Sequence, residues 1–154
     1  MQALELKRAM SLLSHGVYVL GVHTPEKDNL MTCAWLCQVS GNPPTVAAAV
    51  SAKHLTAQLI PQAGRFSVSI LRQDQKDVAL KNGMGSGRDH DRLSETPVDF
   101  SAAGNPLVRG AAAHLDCRLV NTVAAGDHVL MMGEVIAGAV FSEYPLRYRE
   151  KEFF

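Results

Sequence analysis

A chain of 154 residues, 47% hydrophobic and 19% charged, has the composition of an ordinary globular protein, long enough to bury a core without disulfides or a structural metal. Its 15 Lys and Arg balance its 15 Asp and Glu, so no net field draws it to nucleic acid or to an anionic membrane. Apolar runs such as 45–50 are far too short to span a bilayer. Nothing at the N-terminus has the form of a secretory leader, so a single cytoplasmic domain over 1–154 is expected.

Ala3, Leu6, Met10 and Leu13 recur at helical spacing, which predicts a helix over 2–14 ending near His15-Gly16. The β-branched and aromatic run 17–23 predicts a strand, the polar stretch 25–29 a turn, and 30–36 the next strand. Pro43 and Pro44 block ladder hydrogen bonds before an extended run over 45–51. Leu55, Leu59 and Ile60 suggest a short helix that Pro61 limits and Gly64 closes. Phe66, Val68 and Ile70 alternate with Arg65, Ser67 and Ser69, the pattern of a half-buried strand.

A helix is expected over 73–81, a glycine-dense loop over 82–91 and mostly irregular chain over 92–110. The runs 112–123 and 128–141 read as two long strands joined by a turn at Ala124-Ala-Gly-Asp127. The total is a mainly β chain of about six strands with a few short helices, suited to a closed or nearly closed barrel.

Cys33, Cys37 and Cys117 form no CxxC pair and read as free thiols of a reducing compartment. The six histidines show no metal-ligand spacing, so no metal site is expected.

Three segments carry possible chemistry. Asn29-Leu-Met-Thr-Cys-Ala-Trp35, Ser40-Gly-Asn-Pro-Pro-Thr-Val46 and Ser51-Ala-Lys-His-Leu-Thr56 end strands in small, hydroxyl-bearing and basic residues. Small residues let backbone approach a planar ligand, and a Lys among hydroxyls can hold a phosphate. As a lone strand, the first run would place Trp35 in the core. Thr56 could equally cap a helix starting near Ala57. Gly83-Met-Gly-Ser-Gly-Arg88 is neither a Walker A loop nor a GxGxxG between strand and helix. Gly126-Asp-His128 is by itself an ordinary hairpin turn.

Together, the first three runs and Gly126-Asp-His128 with Gly133-Glu-Val135 resemble the two signatures of the flavin reductase-like family of FMN-binding split β-barrels. The resemblance implies FMN (or FAD) as cofactor, NAD(P)H as transient electron donor, a homodimer, and a partner redox protein or monooxygenase. It implies that Asn29, Met31, Thr32, Cys33, Ala34 and Trp35 run along the flavin ring and ribityl chain. Ser51, Lys53 and Thr56, with His54 beside them, would hold the phosphate. Ser86-Gly-Arg-Asp-His-Asp91 resembles a third family segment and makes Arg88 a cofactor or dimer contact. His128, the catalytic candidate, would lie on the nicotinamide side, where hydride transfer demands position more than proton chemistry. A flavoredoxin-like electron carrier and a non-catalytic flavin- or haem-binding protein are the alternatives. Tyr144-Pro-Leu-Arg-Tyr148 also fits the family, but Arg149-Glu-Lys-Glu-Phe-Phe154 lacks the glycine turn common after it.

Overall fold

The two longest runs of β-forming residues fold on each other as one hairpin, β8 (Ala113–Ala125) and β9 (His128–Val140), and the remaining strands flank it. Ala125 pairs with His128, leaving Gly126 and Asp127 as the two-residue loop. Gly126 has φ 61°, a left-handed conformation that glycine adopts without strain and that suits tight hairpins. The computed structural model describes residues 2–84, 87–88 and 91–149.

Around this hairpin stand β1 (Tyr18–His23), β2 (Asp28–Cys33), β3 (Leu36–Gly41), β4 (Pro44–Ser51) and β5 (Arg65–Ile70). They form one seven-stranded antiparallel sheet in the order β2-β1-β5-β8-β9-β4-β3. The expected strand over 30–36 is therefore two strands. β2 ends at Cys33 on one edge, and β3 starts at Leu36 on the other. Only Ala34 and Trp35 connect them, so the sheet must curl until its edges nearly meet, and it stays open there. The Trp35 carbonyl accepts from Ala49 N–H at 2.8 Å, which ties the crossing to β4.

The chain is mainly β, as expected, but the described residues hold nine strands, not about six. One unforeseen strand is β3, which turns into β4 at the cis Asn42–Pro43 bond, so the prolines bound the hairpin and Pro44 begins β4. The others are β6 (Val98–Phe100) and β7 (Pro106–Val108), a small separate hairpin where irregular chain was expected. It covers the outer face of β5. Ser67 Oγ donates to Pro106 O at 2.6 Å and Ser69 Oγ accepts from Val108 N–H at 2.9 Å. Hydrogen bonding makes those serines compatible with full burial, so β5 is buried on both faces where alternation suggested one.

The helices also depart from expectation in extent. α1 (Ala3–Met10) is shorter than 2–14 and buries none of its residues. α2 (Leu55–Ala63) continues past Pro61 to Gly64, whose φ of 69° and N–H bond to Ile60 O close it. Packing of Leu59 and Ile60 holds the last turn despite the missing proline donor. α3 spans Lys76–Gly83.

β1 is buried on both faces and separates two cores. Leu20 and Val22 join Val50, Ile60, Phe66, Val68 and Met131 inside the curl. Val17 and Val19 join Leu30, Leu71, Ala79 and Val108 on the other side. Gly133 of β9 packs directly against the first core. A Cβ there would lie 2.5 Å from Phe66 Cζ and 2.8 Å from Cys117 Cβ. Gly133→Ala should therefore destabilise the fold by about 1–3 kcal/mol through overpacking. Urea unfolding checks this, and an unchanged midpoint would mean Phe66 moves aside without cost.

Candidate functional site

The seam where β2 leaves the sheet is also where a cleft of about 190 Å³ opens. Met31, Thr32 and Cys33 supply one wall, the crossing residues Ala34 and Trp35 the rim, and Ala49, Ser51, His54 and His128 the opposite side. β-register explains the grouping, because Ser51 of β4 pairs with His128 at the start of β9. Trp35 is 52% exposed and not a core residue. Its ring lies 4.7 Å from that of His128, tilted at 41°, an arrangement that leaves an aromatic rim over a largely apolar cleft.

Asp127 Oδ1 sits 2.6 Å from His128 Nδ1. A carboxylate can only accept, which puts the ring proton on Nδ1 and leaves Nε2 as the other polar atom. The same bond, followed by the charge of the ring, holds the Asp127 carboxyl below its ordinary range. Asp127 thus orients His128 as well as forming the turn.

Next to the cleft, and sharing Met31, Thr32 and His54 with it, lies a void of about 30 Å³ lined by Asn29, Asn82, Gly87 and Arg92. Asn29 is buried, and its Nδ2 donates to Thr56 Oγ1 at 3.1 Å. Asn29 Oδ1 and Asn82 Oδ1 are both buried acceptors without a partner among the described residues. A Cβ at Gly87 would come within 2.3 Å of Asn29 Oδ1, so only glycine lets this loop close over Asn29. Lys27 Nζ donates to the Gly87 carbonyl.

Thr56 is buried and does not line the cleft. It does not cap α2 either, since His54 is the N-cap residue and Thr56 lies inside the first turn. Lys53 and Arg88 are exposed and are not among the lining residues of the cleft or the void, and Arg88 Nη1 donates to the Lys53 carbonyl at 3.1 Å. Ser86, Asp89 and His90 of the third segment lie outside the described residues.

No periodicity or motif pointed to Arg92. It is buried and donates to Leu30 O at 2.8 Å and Asn82 O at 2.5 Å, which pins the segment after the glycine-rich loop to β2. Val17 and Tyr148 also line the cleft unforeseen, brought there because the tail docks beside β1. Burial first, then the charges of Arg92, His128, Arg88 and Lys53, hold the His54 imidazole below its ordinary range. That clustering marks this end of the cleft as electropositive.

Cys33 faces this cleft, but its thiol is fully enclosed between the Trp35 and Ala49 carbonyls. Burial pushes it up to about 12, and likewise Cys117, helped there by Asp116. Thiolate is the reactive form, so neither should be alkylated in the folded protein at pH 8, while exposed Cys37 should. Iodoacetamide labelling read by mass spectrometry checks this, and rapid labelling of Cys33 would show an accessible, activated thiol. Among the described residues no group of three His, Cys, Asp or Glu side chains could hold a metal ion.

Residues 10–154 match the family model described as Flavin reductase like domain. The chain is 32% identical over 133 residues to NADH-dependent FMN reductase AsuE2 of Streptomyces nodosus subsp. asukaensis, spanning 85% of this chain and 71% of that one. It is 31% identical over 129 residues to the reductase component of 4-hydroxyphenylacetate 3-monooxygenase of Thermus thermophilus, spanning 84% and 79%. It spans only 24% of the cyanobacterial diflavin flavoproteins it also matches. Among solved structures, an FMN-binding protein from Thermus thermophilus with bound 1-cyclohex-2-enone superposes with a TM-score of 0.84 at 28% identity, covering 92% of this chain and 85% of that one. With the family match covering nearly all of the chain and relatives above 30% identity, this protein belongs to the flavin reductase-like domain family.

Proposed function

We propose that this protein is an NAD(P)H-dependent flavin reductase that binds FMN, or FAD in its place, in the cleft at the open seam of a split barrel. The observation that carries this reading is the cleft's division into an apolar, aromatic-rimmed part and an electropositive end around His54. A planar ring carrying a polar chain and a phosphate matches that division. Asn29 Oδ1, a buried acceptor without a partner among the described residues, matches a ligand hydroxyl.

Met31, Thr32, Cys33, Ala34 and Trp35 would flank the ring, largely through main chain. Ser51, Lys53, His54 and Arg88 would hold the phosphate. Thr56 serves them by fixing Asn29, to which it is hydrogen-bonded. Bound flavin supplies the redox chemistry, accepting two electrons as hydride from a reduced nicotinamide and passing them on. His128 is the catalytic candidate because it lies across the cleft mouth, where it can orient the nicotinamide, and Asp127 sets its tautomer.

The acceptor we infer is a partner redox protein or monooxygenase, in line with the relative named as a monooxygenase reductase component. A single domain in a reducing cytoplasm is part of the same reading, supported by three cysteines that are all free thiols. So is a homodimer. Leu4, Leu6, Met10, Leu12 and Leu13 near the N-terminus, and Ile136, Val140 and Phe141 at the end of β9, are all exposed. Exposed apolar side chains of this kind support a self-association surface. Light scattering over a dilution series should give the dimer mass, and a monomer with undiminished FMN affinity would end that part of the reading.

For the site itself, Lys53→Ala should weaken FMN binding about tenfold, the loss of one charge-assisted contact. His128→Ala should leave FMN affinity and the flavin spectrum intact while slowing reduction by NADH in stopped flow. Unchanged FMN affinity in the first variant would remove Lys53 from the site. A wild type loaded with flavin but inert to NADH and NADPH would leave an electron carrier or a binding protein instead.

A further inference from the structure

A second depression, a groove of about 560 Å³, shares Tyr148 with the cleft as a lining residue. Its polar lining is Ser14, His15, Tyr18, Arg147 and Arg149, with no carboxylate among the described residues that form it. Neither arginine makes an ion pair with a described carboxylate. The tail that carries them is held by backbone bonds. Val17 N–H donates to Leu146 O at 3.2 Å, Leu146 N–H to Leu71 O at 2.8 Å and Tyr148 N–H to His15 O at 3.0 Å. Gly16 pairs with Arg147 in an isolated bridge. A Cβ at Gly16 would fall 2.5 Å from Tyr18 Oη, so glycine there leaves room for the phenol at the groove. Burial raises the Tyr18 phenol and keeps it protonated, hence able to donate.

We propose that this groove binds the diphosphate of the nicotinamide dinucleotide donor, with Arg147 and Arg149 as its principal ligands. The proposal rests on the reductase reading and adds where the donor's anionic part is held. Two guanidinium groups and flanking hydroxyls form a donor set suited to phosphate oxygens. Tyr148 lines both the groove and the cleft, so a ligand with its ring in the cleft can reach over Tyr148 into the groove.

Strand register separates this site from the flavin phosphate. Asn29, beside Thr56 and the His54 end, pairs with Val22, whereas Cys33 pairs with Tyr18 at the groove end. Those four residues of strand span about 13 Å. A diphosphate belonging to FAD would continue from the His54 end, beside Lys53 and Arg88. The groove's cations therefore serve the donor.

The test uses the flavin-loaded full chain with Arg147→Ala, Arg149→Ala and the double variant, and with Arg147→Lys as the charge-retaining control. The KM for NADH should rise about tenfold for each arginine lost, while kcat and the affinities for FMN and FAD hold. The KM for reduced nicotinamide mononucleotide, which has no diphosphate, should not move. ADP should bind the wild type by calorimetry and lose affinity in the variants, with Arg147→Lys intermediate. Unchanged NADH KM and ADP affinity in a wild type that NADH reduces would overturn the groove assignment and leave the reductase reading standing. Loss of FAD affinity without a change in NADH KM would give the groove to the cofactor and overturn it as well. A wild type that NADH does not reduce would bring down the reductase reading and this proposal together.

Discussion

The two-residue crossing at Ala34 and Trp35 is the constraint on which the rest of the structure depends. Strands adjacent in sequence usually pair, yet here β2 and β3 lie on opposite edges of a seven-stranded sheet. Two residues cannot bridge the width of a flat sheet, so the sheet has to curl. The bond from Ala49 N–H to Trp35 O extends the β3–β4 ladder by one rung and so anchors the crossing to β4. An edge of this kind normally invites further strand pairing. In this chain it becomes the wall of a cleft whose main chain and small side chains are open to a ligand.

Charge placement follows from the same geometry. The chain is neutral overall, so its positive regions arise from folding and not from composition. One lies where α2 begins, with Lys53, His54, Arg88 and Arg92 drawn together from segments far apart in sequence. The other lies where the tail returns beside β1, with Arg147 and Arg149. The two sit at opposite ends of β2, with the apolar cleft running between them.

Arg92 shows how the first of these is stabilised. A buried guanidinium is costly unless it is hydrogen-bonded, and here backbone carbonyls from β2 and from the end of α3 accept from its Nη1. These bonds tie a segment with little hydrophobic content to the sheet. Gly87 then comes down on Asn29, and the small void beside the cleft is closed.

Much was legible in the residues themselves. β-branched runs, glycine at Gly64 and Gly126, and the spacing of Leu55, Leu59 and Ile60 report local preferences that the fold keeps, so element types and the long hairpin could be read directly. The runs 29–35 and 51–56 could be singled out because small and hydroxyl-bearing residues at strand ends are visible locally, and the family resemblance supplied their chemistry. Tertiary structure alone decided the rest. It split 30–36 into two strands, because which edge a strand joins depends on partners that alternation cannot name. It buried Ser67 and Ser69, because a distant hairpin offers them hydrogen bonds. It brought Trp35 to the rim beside His128, and it recruited Arg92, Val17 and Tyr148, whose roles depend on segments distant along the chain. Local pattern encodes what a segment prefers to be, and long-range pairing decides what it meets.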